Sequence, residues 1–344
     1  MRNQNRPLLA ISWMALTVSV TACGDGRTPL VLYSPHGRDL LELLETRFEE
    51  RNPDVDVRWL DMGSQEVFDR VRSEAANPQA DVWFGGPDTI LAQGAAEGLL
   101  EPFRPSWADR LPSASRDAGD LYFGLYRAVP ILIYNSDAIP ADQAPADWED
   151  LLAERFAGEV IIRDPLASGT MRTAFGMVLA RSIAETGSTE AGFDWLRRLD
   201  AQTKDYAVNP ALLFEKLIRR EGLVSIWELT DALLHERRGS PLGYRFPTSG
   251  TPVIDDAVGL VANAPRSEEG RRFIEWVGGE EALLLVAHNV FRLPAREDLP
   301  AEKLPDWANR ALEEIVPIEM DWALLAERGQ DWMAQWDREV RGQG

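Results

Sequence analysis

Apolar positions along the chain switch repeatedly between two periods. Leu30 to Tyr33 is a short apolar, β-prone run, Ser34-Pro35-His36-Gly37 breaks it, and Leu40, Leu43, Leu44 and Phe48 then recur at the spacing of one helix face. Asn52-Pro53-Asp54 ends that helix, and Val55 to Trp59 alternates as a half-buried strand does. The pattern repeats with a helix over about 65–75, a strand from Ala80 to Phe84, the break Gly85-Gly86-Pro87-Asp88, and a helix to about Gly98.

Farther along, Tyr126 to Tyr134 is one long β-rich segment, expected to be the first crossover between lobes. Trp148, Leu151, Leu152 and Phe156 stand at helical spacing within 145–160. Val160 to Ile162 reads as a buried strand that leads through Asp164-Pro165 and Ser168-Gly169-Thr170 into a helix carrying Phe175, Val178 and Leu179. Leu223 to Trp227 is a further strand, ending at Glu228 and opening a helix through Leu233 and Leu234. Val258 to Val261 is expected to be the return crossover, and the tail from Glu302 is helical, with Trp307, Ile315, Trp322 and Trp332 among its packing residues. Alternation of this kind predicts an α/β sandwich with mostly parallel sheets. Ligands of such sheets sit at the carboxyl ends of strands, on the loops that lead into helices.

The first residues follow a different pattern. Arg2 and Arg6 precede an uncharged apolar run from Leu8 to Val20, which is shorter than the roughly 20 residues that span a bilayer. It reads as a secretion signal over 1–22. Val20-Thr21-Ala22-Cys23 resembles the bacterial lipobox, so the resemblance implies acylation of Cys23, the single cysteine of the chain, with 23–29 as a tether. The protein is then expected on the extracytoplasmic side of the cell envelope, held to the membrane by that anchor only.

Composition is that of a globular protein, with 45% hydrophobic and 27% charged residues in 344. Loss of Arg2 and Arg6 would take the formal charge from −20 to −22. Nucleic acid is excluded as a partner at that charge. A small anion is not, because a cleft can be locally positive inside an acidic surface.

Four segments together resemble the iron(III)/phosphonate/sugar-phosphate-type branch of the ABC-transporter solute-binding proteins. They are LVLYSPHG at 30–37, ADVWFGGPDT at 80–89, WEDLLAERFAGEVIIRDPLASGT at 148–170, and GRRFIEWVGGEEALLLVAHNVFRLPARED at 270–298. The resemblance implies a two-lobed periplasmic-binding-protein type 2 fold, each lobe a mixed, mostly parallel sheet flanked by helices, with two hinge-crossing strands and closure on a ligand. Lobe 1 is expected from 30–127 plus 256–295 and lobe 2 from 128–255 plus 296–344. It further implies a monomer that delivers a small molecule to the transmembrane subunits of an ABC permease, with no cofactor and no catalysis. Ferric-iron members carry adjacent tyrosines where this chain has Leu229 and Thr230, which argues against iron.

Candidate ligand residues follow from the strand-to-helix loops. Ser168, Gly169 and Thr170 offer backbone N–H groups and hydroxyls at a helix start, with Arg172 one turn on, a setting for phosphate, phosphonate or carboxylate unless the serine is only a cap. Ser34 and His36 follow the first strand. Gly85 and Gly86 let a backbone approach a ligand closely, while Trp83 either lines the pocket or is simply buried. In the second lobe Trp227, Glu228 and Asp231 suit hydroxyls or an amine, and Asn209 is a further candidate. Metal ligation is not expected, since His36, His235 and His288 are scattered. Alternatives within the binding class are ferric iron held through an anion, thiamine-like cations and polyamines. An exported carboxylate-dependent hydrolase and a lipoprotein with a structural or signalling role are the alternatives outside it.

Overall fold

The computed structural model of the chain describes residues 26–342; the signal segment and Cys23 lie outside the described residues. The first sheet begins with β1 (Thr28–Ser34), α1 (Arg38–Arg51), β2 (Val55–Asp61), α2 (Ser64–Ser73), β3 (Val82–Pro87), α3 (Asp88–Ala96), the short β4 (Leu100–Glu101) and β5 (Phe123–Ala128). β1 lies between β2 and β3 and runs parallel to both, from Thr28 opposite Val55 to Ser34 opposite Asp61. Three strands therefore end on one edge of the sheet, each followed by a helix N-terminus. Leu40, Leu41, Leu44 and Phe48 seal one sheet face, and Val67, Phe68, Ile90 and Leu91 seal the other.

The chain then builds a second sheet from β6 (Pro130–Asn135), β7 (Val160–Arg163), β8 (Thr203–Ala207), β9 (Val224–Glu228) and β10 (Leu242–Arg245), in the order β10-β6-β9-β7-β8. Its helices are α4 (Gly169–Thr186), α5 (Glu190–Gln202), α6 (Pro210–Ile218) and α7 (Leu229–Arg237). β7 is parallel to β8 and β9, and β6 is antiparallel to β9. The chain returns to the first sheet as β11 (Ile254–Val261), antiparallel to β3 and β5, then forms α8 (Ser267–Val277), α9 (Glu280–Val290) and β12 (Leu293–Pro294) beside β5. Helices α10 (Asp306–Glu314) and α11 (Trp322–Glu339) close the chain, α11 setting Trp336 against Phe175 and Tyr206. This is the type 2 periplasmic-binding-protein fold.

The segment expected as one strand over 126–134 is two strands in two sheets. Val129-Pro130 divides it, and proline stands first in β6 because it has no N–H to give a ladder. The two crossings are tied to each other there: the Thr251 hydroxyl donates to the Pro130 carbonyl at 2.6 Å. The helical spacing over 145–160 becomes two 3-10 turns, at Trp148–Leu152 and Glu154–Phe156. Asp147 and Asp150 form a capping box that starts the first, and Gly158 at φ 70° turns the chain into β7. Polar, partly exposed β8 and β10 have no apolar run to mark them and are visible only in the structure.

The lobes meet closely. A Cβ on Gly169 would lie 2.7 Å from Pro87 Cδ, and one on Gly63 would lie 2.8 Å from the Ala167 carbonyl oxygen. Arg238 pairs with Asp39 across the seam, and Gln93 donates to the Ala326 carbonyl at 3.1 Å. Gly63 has φ −61° and ψ 150°, which any residue adopts, so only the opposite lobe forbids a side chain. Gly63→Ala should therefore leave each lobe folded while disfavouring the closed arrangement by about 1–3 kcal/mol, the usual range for overpacking. The expected readout is a larger radius of gyration by solution scattering with an unchanged far-UV circular dichroism spectrum; equal radii would mean the seam yields freely.

Candidate functional site

Parallel strands bring their carboxyl ends to the seam from both sides. From the first sheet come Ser34, Asp61 and Gly85-Gly86; from the second come Arg163 and Glu228. The contacts between loops show that these ends converge. Gly86 lies against Ser64 at the start of α2 and Pro35 after β1, while Gly169 at the start of α4 meets Pro87 at the start of α3. Four helix N-termini, each with free N–H groups and the positive end of a dipole, therefore border one cleft.

Two guanidinium groups flank the Ser168 loop. Arg163 and Arg172 are 4% and 8% exposed, and neither has a carboxylate within 4 Å among the described residues. Arg163 bonds only carbonyls, Ala207 at 3.2 Å and Asp164 at 3.5 Å, and its Nη2 stands 3.7 Å from the place a Gly63 Cβ would occupy in the other lobe. Arg172 has one long bond, 3.4 Å to the Leu166 carbonyl. Nε is without a partner in both. Burial lowers the pKa of both guanidiniums, partly offset by Asp164 for Arg163 and by Asp69 for Arg172, though both remain cations at any ordinary pH. Ser168 caps α4, its hydroxyl accepting from the Met171 N–H at 3.3 Å, so the cap exists; a capping hydroxyl still has its proton to give.

A second group of charges lies beside the first. The Thr170 hydroxyl donates to Glu228 Oε1 at 2.5 Å, and Arg292 sits 3.8 Å from Glu228 Oε2 while donating to the His36 carbonyl at 3.0 Å. Asp256 lies 3.7 Å from His36 Nδ1, and the His36 ring packs edge-on to Phe84 and Tyr126. A side chain on Gly85, at φ +102°, would strike the imidazole, so glycine there makes room for His36. Burial holds His36 well below the usual imidazole range, helped by Arg292, so the ring is neutral. Asp256 is pushed well above the carboxylate range by burial and by repulsion from Glu228, with Arg292 opposing. Burial and Asp231 also raise Glu228, while Arg292 and Thr170 pull it back. Both carboxyls are thus raised, and Glu228 keeps the Thr170 hydroxyl and Arg292 as its partners.

Of the other expected residues, Ser34 is fully buried at the end of β1 and its hydroxyl accepts from the His36 N–H at 3.2 Å. Trp227 donates to Asp231 Oδ2 at 2.7 Å, so the carboxylate has a partner and the indole is fixed at the cleft edge. Asp231 and Asp61 are close enough across the cleft for their charges to repel. Two expectations need correction. Trp83 is fully buried inside the first lobe against Phe68 and Gly94, and its indole donates to the Gly85 carbonyl at 3.1 Å, so it shapes the loop from behind. Asn209 is exposed and caps α6 by accepting from the Leu212 N–H at 2.8 Å, a local task that explains it. The residues that sequence reading missed are Arg163, Tyr126, Asp256 and Arg292. Arg163 had a signal, a charge ending the apolar strand VIIR; the other three meet only through strand pairing and the α9 return.

The family model for bacterial extracellular solute-binding proteins matches residues 44–313. The chain belongs to that family. A Sinorhizobium fredii protein named as an ABC-transporter periplasmic-binding protein is 26% identical over 347 residues, covering 99% of this chain and 94% of that one. A Salmonella typhimurium periplasmic protein named for binding 2-aminoethylphosphonate is 29% identical over 292 residues, 83% of each chain. Among solved structures, AfuA of Actinobacillus pleuropneumoniae with fructose-6-phosphate superposes with a TM-score of 0.80 at 23% identity, covering 93% of this chain and all of that one. The ferric binding protein of Campylobacter jejuni gives 0.75 at 18% identity, over 90% and 98%. The chain is a bacterial extracellular solute-binding protein, and these relatives and neighbours are binding proteins.

The buried acid pair sets a pH dependence. Because folding raises both carboxyls, the native chain keeps a proton that the unfolded chain gives up near pH 4, so stability falls as pH rises from about 4 toward the raised values. Asp256→Asn should flatten that fall between pH 5 and 8, because it removes the more strongly raised carboxyl. Urea unfolding at the two pH values measures it; an undiminished slope would place the proton elsewhere.

Proposed function

We propose that this protein captures a small anionic organic solute, of the phosphate-ester or phosphonate class, in the inter-lobe cleft and delivers it to a membrane permease. One observation carries the reading: Arg163 and Arg172, buried and without a carboxylate within 4 Å among the described residues, flank a helix N-terminus that presents Ser168 and Thr170. An anion there gains fixed N–H and O–H donors and neutralises cations that otherwise stay desolvated. Glu228 and Asp231 stand at the other end, suited to the hydroxyls of a sugar or the ammonium of an aminophosphonate. The names of the Salmonella relative and of the AfuA complex belong to the same chemical class.

A thermal-shift screen of hexose phosphates, aminoalkylphosphonates, free sugars and ferric salts tests the class. A phosphate or phosphonate at a hundredfold excess over its dissociation constant stabilises the fold by about 2.7 kcal/mol. Ser168→Ala with Thr170→Ala should weaken that ligand by about 1.5–3 kcal/mol, the worth of the one charge-assisted bond from Ser168, since the Thr170 proton is given to Glu228. Arg163→Gln should cost at least tenfold. Ferric salts should leave the protein colourless, because Leu229 and Thr230 offer no phenolate; Thr230 instead bonds the Phe291 carbonyl at 3.0 Å. Full affinity in the double variant, or a visible iron band, would overturn the reading.

Export and anchoring rest on the sequence of the first residues. Cys23→Ser should release the protein from the membrane fraction, and a processed form of that variant that stays membrane-bound would rule out the lipid anchor.

A further inference from the structure

Residues 126 and 127 on β5, and 256 and 255 on β11, project alternately to opposite faces of the sheet. Tyr126 and Asp256 belong to the cluster around His36. Arg127 and Asp255 face the other way, into a cavity of about 600 Å³. Both lobes wall it: Asp88 and Thr89 begin α3 on one side, and Ile315 and Trp322 lie on the other, in the segment through α10 and α11. None of Ser34, Gly85, Ser168, Thr170 or Glu228 lines it, so it is separate from the cleft.

The charges of this cavity do not cancel. Arg127 is held by Glu297 at 2.6 Å and faces Asp255 at 3.8 Å. Asp88 has no cation within 4 Å among the described residues, and its Oδ1 is sealed from solvent with no hydrogen-bond partner. Burial, then repulsion from Asp255, lifts the Asp88 carboxyl to about 7. The rest of the lining is largely apolar or aromatic, with Tyr122, Leu293 and Trp322, and Leu312 is 46% exposed. An anion meets repulsion here, and a neutral apolar molecule leaves Asp88 without a counter-charge. An ammonium supplies the missing counter-charge, and its apolar body suits the indole and phenol faces.

We propose that this cavity is a second binding site, for a primary organic ammonium ion with an apolar or aromatic body, and that its occupancy holds α3 and α11 together. A ligand that touches both lobes shifts their arrangement by its differential affinity for the two states. The site is independent of the anion reading of the cleft.

Phenethylammonium is a suitable probe, titrated calorimetrically into the full chain near pH 8, where Asp88 is ionised. We expect one saturable site. Phenethyl alcohol should bind at least tenfold more weakly. Asp88→Asn should also cost tenfold or more while melting no lower than the parent at that pH, because it removes a half-buried carboxylate that has no counter-charge within 4 Å among the described residues. Ala92→Phe, which fills the cavity from α3, should abolish binding. Glu228→Gln, which removes the carboxylate an amine would choose in the cleft, should leave the phenethylammonium affinity within about twofold of the parent's. Absence of binding at millimolar probe would overturn the proposal, and so would binding lost in Glu228→Gln but kept in Asp88→Asn.

Discussion

Desolvated charge at the seam between the lobes is the constraint on which the rest depends. Arg163 and Arg172 are buried beside the seam, and among the described residues neither has a carboxylate within 4 Å. A buried charge without a partner is costly by several kcal/mol, whereas an anion that supplies bidentate bonds recovers much of that cost. On the proposed anion reading, closure without an anion is opposed by the same groups that favour it with one. The close fit of Gly63 on Ala167 and of Gly169 on Pro87 makes the closed arrangement geometrically definite, and the guanidiniums make it conditional.

The acid cluster applies the same logic with the opposite sign. Glu228, Asp256 and Arg292 bring two carboxyls to one guanidinium, and burial with mutual repulsion raises both carboxyls, favouring a proton over a second negative charge. Thr170 connects the two halves, since its hydroxyl ends on Glu228 while its backbone lies in the first turn of α4. A group bound at the α4 N-terminus therefore acts directly on the Glu228 side of the cleft. Arg292 extends the connection to the first lobe through the His36 carbonyl.

How much of this was legible follows from the range of the interactions. Strand–helix alternation through the first hundred residues, and the strand ends at Ser34, Gly85 and Glu228, are local patterns, and these strand ends do meet at the seam. The face a side chain takes is less local: Trp83 stands beside the cleft loops in sequence, but alternation in β3 turns it inward against Phe68. Asn209 shows the limit of reading polar residues at turns, since an N-cap and a ligand contact look alike until exposure is known. Arg292 was within a segment identified for its family likeness, yet its place beside Glu228 requires α9 to end at Phe291 in the left-handed conformation, φ 55°, and turn the chain back to the hinge. Asp256 and Tyr126 required the register of β5 with β11.

That register also separates the two sites that the hinge serves. Consecutive residues on β5 and β11 send Tyr126 and Asp256 to one face and Arg127 and Asp255 to the other. A slip of one residue would exchange the faces, putting Arg127 beside Arg292 and leaving Asp255 and Asp256 without their present partners. The Thr251–Pro130 bond and the pairing of Ile254 with Ala128 fix the register at the point where the chain recrosses. The hinge therefore does more than join the lobes: its alternation assigns opposite sets of charges to the two faces, and any motion that bends these strands changes both sites at once.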